Sequence, residues 1–336
     1  MEPGMIGLSI FFGNLRNQQG LTLLEMLVVV FLLSAMALLT VSFTGNADDQ
    51  FRFEETRTRL AQIRTAVAGR PDQPLNGGPA IGGFVADIGR LPADLRELIE
   101  PGTLPAWTFD AGVGLWAGWR GPYVTSLTEQ GGLKTYRDGW GNGGSSGSPP
   151  NYGWSVAVDQ TAGTLTVQSL GSDGAAGGAD YAADYPDSAA GSLVLRDDHQ
   201  INLRGWSVTV TFTNPTNGGS ALPSADTTLR LRLYYPEDGR FGWPTTWPAT
   251  ETERDTAPYL SLDTILPANA VPEGGSADLT FQFGSADKFV PWGMRALGVV
   301  TDAGGAFPDP DPNIKSLVTL APRINLSATA MTWRIE

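Results

Sequence analysis

The chain has 336 residues, with 22 Lys plus Arg against 35 Asp plus Glu for a formal net charge of −13. It holds one His and no Cys, which excludes a two-histidine zinc site, thiolate metal centres, disulfides and thiol nucleophiles. The acidity, without any Lys/Arg cluster, argues against nucleic acid as a partner, and 42 Gly and 24 Pro with 17% charged residues describe a folded, loop-rich, largely β chain.

The first element in chain order is the apolar run Leu21 to Phe43, whose one charge is Glu25. At ~1.5 Å per helical residue it spans a hydrocarbon core about 30 Å thick. Arg16 before it and Asp48 and Asp49 after it place the short N-terminus in the cytoplasm and the bulk of the chain outside. A cleavable secretory signal would use Ala35-Met36-Ala37, but the apolar stretch before it exceeds the usual ~7–15 residues. A permanent signal anchor accounts for the length and leaves Glu25 unexplained, although an acidic side chain at mid-membrane costs about 2.5–3.5 kcal/mol.

Gly20-Leu21-Thr22-Leu23-Leu24-Glu25 ahead of an apolar helix resembles the prepilin cleavage motif of type IV pilins and type II secretion pseudopilins. The resemblance implies cleavage after Gly20 by a prepilin peptidase, methylation of the new amino terminus at Leu21, and pairing of that terminus with Glu25 of a neighbouring subunit. A buried charge is far less costly paired than alone. Thr22 and Glu25 also form a capping box, a role compatible with assembly. The family most often has Phe where Leu21 stands, and Pro where Ser42 stands; Ser implies less kinking because it keeps the helix hydrogen bond.

Phe53, Leu60, Ile63 and Val67 continue as one helical stripe, with Arg52, Glu55, Arg57, Arg59 and Arg64 outside it. The spacing predicts a helix from about Thr22 to Ala68, ended by Gly69 and Pro71.

Asp87-Ile-Gly-Arg90-Leu-Pro92, Trp119-Arg120-Gly121-Pro122-Tyr123 and Asp138-Gly139-Trp140-Gly141-Asn142 resemble, in order, segments of the major pseudopilin of type II secretion, with Gly139 in place of a Pro. Ser169 to Asp184, rich in Gly and Asp, resembles that protein's calcium loop. The resemblance implies calcium bound by the Asp173 and Asp184 side chains and the Leu170 and Ala175 carbonyls, since Ca2+ takes about six to eight oxygens. Spacing alone adds Asp180. A solvated acidic loop is the alternative.

Three weaker patterns read as structure. Asp309-Pro-Asp311-Pro-Asn313 opens like an EF-hand loop, but Ile314 stands where the turn needs Gly and Leu320 where Glu is required. Gly143-Gly-Ser145-Ser-Gly147 lies in a Gly/Ser/Pro stretch, not at a strand-to-helix turn. Gly112-Val-Gly114-Leu-Trp-Ala117 lacks the apolar strand and following helix of a dinucleotide site, so its glycines read as turn residues.

Beyond Asp187 the resemblance stops. Residues 206–212, 229–233 and 279–283 alternate apolar and polar, and apolar runs at 296–300, 316–320 and 327–335 bring the strands to six or seven. Trp243, Trp247 and Tyr259 are candidates for a sugar-stacking or protein-binding platform, against a turn-packing role.

The expected fold is α+β: a leader (1–20), a long helix (21–68, with 21–43 transmembrane or filament core), a small β-rich head (69–187) and a C-terminal β-sandwich of immunoglobulin-like architecture (190–336). The expected function is a non-enzymatic structural subunit of a pseudopilus or pilus-like filament. It sits in the inner membrane before assembly and in a periplasmic or extracellular filament after. Its partners are further copies of itself, the prepilin peptidase, the inner-membrane assembly platform and other pilins. The alternative is a minor or tip subunit carrying an adhesive, carbohydrate- or protein-binding sandwich.

Overall fold

The computed structural model describes residues 22–75, 78–80, 82–125, 127–128, 134–143, 152–215, 219–241, 260–301, 305, 307–308, 315–321, 326 and 329–335, with the backbone alone for 39–46, 71–72, 74–75, 78–80 and 127–128. The chain forms two compact units, Met1–Phe51 and Arg52–Glu336, and is α+β.

Helix α1 covers Leu23–Ala68, and its first part belongs to the first unit. Here the side chains are apolar on every side and exposed: Leu23, Leu27, Val30, Phe31 and Leu38 are among them. The Ser34 hydroxyl is satisfied within the helix, donating to the Val30 carbonyl at 2.8 Å. Among the described residues no helix is long and apolar enough to cross a membrane. The span expected over 21–43 includes Leu21 and the side chains of 39–43, which lie outside the described residues.

In the second unit α1 becomes amphipathic, as its spacing predicts. Leu60, Ile63 and Val67 are buried against Phe84, Val85 and Ile88 of α2 (Phe84–Ile88), and Thr56 is buried where its hydroxyl accepts from the Gly139 amide at 3.1 Å. The same core takes in Trp154, Leu165 and Val167 from later in the chain. Phe53 packs edge-on against Tyr185 at 4.7 Å. Helix α1 closes at Gly69, whose amide donates to the Thr65 carbonyl at 2.8 Å. Its φ of +73° lies in the left-handed region, and a Cβ there would fall 2.2 Å from the Gly82 carbonyl oxygen and 2.6 Å from the Trp292 ring.

Short antiparallel hairpins complete the head. Strands β1 (Thr108–Asp110) and β2 (Leu115–Ala117) pair antiparallel. The glycines between them are turn residues as expected: the Gly114 amide donates to the Asp110 carbonyl at 2.7 Å. Strands β3 (Trp154–Asp159) and β4 (Thr164–Ser169) also pair antiparallel.

Seven strands form two sheets around a second core. They are β5 (Ser207–Thr213), β6 (Thr227–Tyr234), β7 (Thr264–Leu266), β8 (Ser276–Gln282), β9 (Gly293–Thr301), β10 (Ser316–Leu320) and β11 (Thr329–Arg334). The sheet orders are β8-β5-β11 and β7-β6-β9-β10, a sandwich with inward Val208, Val210, Phe212, Leu231, Leu233, Val299 and Trp333. The first and last strands pair in parallel, with Val210 opposite Met331 and Phe212 opposite Trp333. The connectivity therefore differs from the constant-type immunoglobulin order, in which the first strand neighbours the second.

Strand β6 departs from its pattern. Alternation predicts Arg230 and Arg232 on a solvated face, yet both are buried. The outer face of this sheet is covered in part by the head, where Val113, Leu115 and Ala117 pack on Tyr234, Phe241 and Ala296.

A buried polar node ties the head to the sandwich. The Asp87 carboxylate, 4% exposed, accepts from the Tyr123 hydroxyl at 3.0 Å and pairs with Arg120 at 3.1 Å. Arg295 of β9, also buried, donates to the Ala86 carbonyl at 3.3 Å and the Pro291 carbonyl at 3.0 Å. Burial pushes the Asp87 carboxyl up to about 6, against the opposing pull of Arg120, the Tyr123 hydroxyl and Arg295. Burial lowers the proton affinity of Arg295, and Asp87 partly offsets that. Beside the node the Gly239 amide donates to the Ile88 carbonyl at 2.8 Å, and Arg90 pairs with both Glu97 and Asp238.

Two outcomes follow for stability. Gly69→Ala adds left-handed strain of about 1–3 kcal/mol to the clash with Gly82 and Trp292, and lowers the denaturant midpoint of the second unit's unfolding accordingly. Asp87 holds its proton more tightly folded than unfolded, so its contribution to stability grows as pH falls from about 6 to ~4, where the unfolded carboxyl also protonates. The stability of wild type relative to Asp87→Asn, measured by denaturation across that window, rises toward acid by up to about 3 kcal/mol; a pH-independent difference contradicts the burial argument.

Candidate functional site

The start of α1 is a complete capping box. The Glu25 carboxylate accepts from the Thr22 amide at 2.9 Å and from the Thr22 hydroxyl at 3.1 Å, while the Glu25 amide donates back to that hydroxyl at 3.3 Å. Residues Leu23 to Met26 bring an acidic group into the first turn, where the helix dipole favours it. Glu25 is exposed, so the cap leaves its carboxylate accessible. Gly20 and Leu21, the expected processing residues, lie outside the described residues.

The second candidate is the Gly-rich loop after β4. Main-chain bonds from Ser172 N to Tyr181 O at 2.8 Å and from Asp184 N to Gly177 O at 3.1 Å close it into a compact turn. Gly178 must be glycine: its φ is +87°, and a Cβ would sit 2.3 Å from the Ala182 carbonyl oxygen. Asp173 Oδ1 accepts from the Ala175 amide at 3.0 Å, and Asp184 Oδ2 from the Gly177 amide at 3.1 Å. Asp184 Oδ1 is buried without a hydrogen-bond donor, and an orphaned carboxylate oxygen is chemically suited to a cation. Asp180 is exposed at φ +53° at the head of a short 3-10 turn. Among the described residues no group of three or more His, Asp or Glu side chains is gathered closely enough to hold a metal ion. Asp180 therefore does not join Asp173 and Asp184 in a three-carboxylate cluster.

The loop rests on the Asp138–Asn142 turn. Asp138 is fully buried, accepting from the Asn142 side chain at 2.8 Å and the Ser169 hydroxyl at 2.9 Å. Burial raises its pKa, against those hydrogen bonds. Asn142 also donates to the Gly171 carbonyl at 2.8 Å, inside the loop. The turn is in turn clamped to α1. Arg59 donates to the carbonyls of Arg137 and Asp138 at 2.8 and 3.0 Å, Arg52 to that of Trp140 at 3.1 Å, and the Gly139 amide to the Thr56 hydroxyl at 3.1 Å. A Pro at 139 would lose that donor, and any Cβ would meet the Arg52 carbonyl oxygen at 2.2 Å.

The single histidine is a core residue: His199 is fully buried with Nε2 at 2.9 Å from the Gly163 carbonyl oxygen, and burial lowers its pKa. Most of the Gly143–Gly147 stretch, all of Asp309–Asn313, and Trp243, Trp247 and Tyr259 lie outside the described residues. The Asp87 node was missed by pattern reading, although Asp87, Arg120 and Tyr123 all stand within motifs that it singled out. Arg295 lies 172 or more residues from them in a strand with no local signal of a polar role.

Comparison with protein families finds one match, the prokaryotic N-terminal methylation motif over residues 15–41. No curated protein and no solved structure matches the chain. That motif is the signal of type IV pilins and pseudopilins, and it falls on the capped, exposed, apolar start of α1. The chain thus carries the N-terminal methylation motif of type IV pilin-like precursors, the signal that prepilin peptidase processes, together with a C-terminal β domain.

Proposed function

We propose that the mature protein is a structural subunit of a type II secretion pseudopilus, or of a type IV pilus-like filament, polymerised through α1. The observation that carries this reading is the first part of that helix, where Leu23, Leu24, Phe31 and Leu38 are 84%, 71%, 69% and 71% exposed. A helix apolar on every side needs lipid or other helices around it. The inner membrane supplies that environment before assembly, and neighbouring copies supply it in the filament.

Cleavage after Gly20 leaves a cationic amino terminus at Leu21 in those apolar surroundings. Glu25 of an adjacent copy offsets it, and removal of one partner of such a buried pair costs about 3–5 kcal/mol. The capping box holds the Glu25 backbone in helical register while its exposed carboxylate reaches outward. The head and the sandwich, in one compact unit, then decorate the filament core. The inner-membrane assembly platform and other pilins are the remaining partners. A minor or tip subunit is the second reading, favoured by the bulk of the sandwich that every copy would carry.

Calcium stabilises the loop in this reading, bound by the Asp173 and Asp184 side chains with the Leu170 and Ala175 carbonyls. The support is the buried, donorless Asp184 Oδ1 in a turn built on glycines.

Mass spectrometry of sheared filaments tests assembly: a peptide starting at methylated Leu21 in bulk amount is expected, and trace amount moves the protein to the tip. Glu25→Val is expected to insert in the membrane and to abolish filaments; normal filaments from that variant overturn the charge-pair role. Chelation is expected to lower the melting temperature of wild type and to leave Asp184→Asn unmoved, since calcium at a hundredfold over its Kd is worth about 2.7 kcal/mol. An unmoved wild type removes calcium from the protein.

A further inference from the structure

Hairpin β1/β2 has two apolar faces. One, with Leu115 and Ala117, is buried on the sandwich. The other carries Trp107, Phe109 and Trp116. Phe109 and Trp116 stand directly opposite in the antiparallel register, and Trp107, two residues before Phe109, falls on the same side. Phe109 is 48% and Trp116 53% exposed. The Phe109–Trp116 pair steadies the hairpin as a cross-strand contact, yet both rings still leave about half of their surface open to solvent.

The rings are pre-arranged. Trp107 and Trp116 are nearly parallel, 14° apart with centroids at 6.1 Å, and Phe109 leans on Trp116 at 5.5 Å and 54°. The Arg120 guanidinium lies 5.1 Å over Trp107 and is itself held by the buried Asp87 at 3.1 Å. Beneath, Asp110 Oδ1 accepts from the Gly112 and Val113 amides at 2.8 and 3.0 Å, fixing the turn.

We propose that this face binds a neutral sugar polymer, with a pyranose ring stacked on Trp116 and flanked by Phe109. The negative faces of aromatic rings attract the electropositive C–H face of a pyranose, as they do ring edges and cations. Charge selects against acidic polymers: Arg120, over Trp107, is paired with Asp87, Asp110 stands at the edge of the platform, and the chain carries −13 overall. Area selects against a protein partner. Two half-open rings and the more covered Trp107 offer roughly 200–300 Å², well under the ~800 Å² per side of a stable protein interface. The assignment is independent of filament assembly and of the loop containing Trp243 and Trp247.

The test is retention of the full-length protein, in a zwitterionic detergent free of sugar headgroups, on cellulose, chitin, xylan and mannan, with alginate as the anionic control. Retention on at least one neutral polymer is expected, weakened tenfold or more in Trp116→Ala and partly kept in Trp116→Tyr, with unchanged melting temperatures. Phe109→Ala gives the same readout without disturbing the Trp107–Trp116 stack, should Trp116→Ala fail to fold. Absence of retention on every neutral polymer, retention on alginate alone, or equal retention by wild type and both alanine variants overturns the proposal. So does a change in self-association of Trp116→Ala with none in retention, which would make this face a contact between copies.

Discussion

The stripe of Thr56, Leu60, Ile63 and Val67 along the second part of α1 is the constraint on which the head is built. These residues are buried, and α2, the hairpin β3/β4 and the Asp138–Asn142 turn all meet them or their neighbours on the helix. Burial of one aliphatic side chain is worth about 1.5–3 kcal/mol, so three or four at successive turns hold the elements that a two-stranded hairpin could not hold alone. The polar flanks add direction: Arg52 and Arg59 reach across to main-chain carbonyls of the turn, which satisfies groups that would otherwise be buried without donors. Gly139 is the point of closest approach, and this geometry gives a physical reason for glycine there instead of the proline of the resembled family.

The same helix changes character near Phe51, where one compact unit gives way to the other. Past that point the apolar side chains find partners within the chain; before it, those described are exposed. One secondary structure thus packs within the chain along its second part and leaves the described apolar side chains of its first part exposed. The capping box at Thr22 and Glu25 satisfies first-turn donors that neither lipid nor a packed helix can solvate.

Asp87 does for the sandwich what the α1 stripe does for the head. A carboxylate with so little exposure is tolerable only with hydrogen bonds and compensating charge, and Arg120 and Tyr123 of one motif and Arg295 of a distant strand provide them. With Gly69 against Trp292 and Leu115 against Tyr234, this places head and sandwich in one compact unit instead of two domains on a linker.

The long helix, its stop at Gly69, the turn glycines at 112 and 114, and the strands β5, β6, β8, β9, β10 and β11 were all legible in the sequence. Their signals are local: period 3.6 or 2 in hydrophobicity, and residues that tolerate a tight turn. The cleavage and methylation segment was legible for the same reason, being a contiguous string with a capping pattern inside it. The sheet order with its parallel first and last strands, the burial of Arg230 and Arg232, the reach of Arg295 to Ala86, and the gathering of Trp107, Phe109 and Trp116 around Arg120 were not. Each joins residues distant in the chain, or depends on which face another element covers, and no one-dimensional pattern records which surfaces meet; only the tertiary structure decides that.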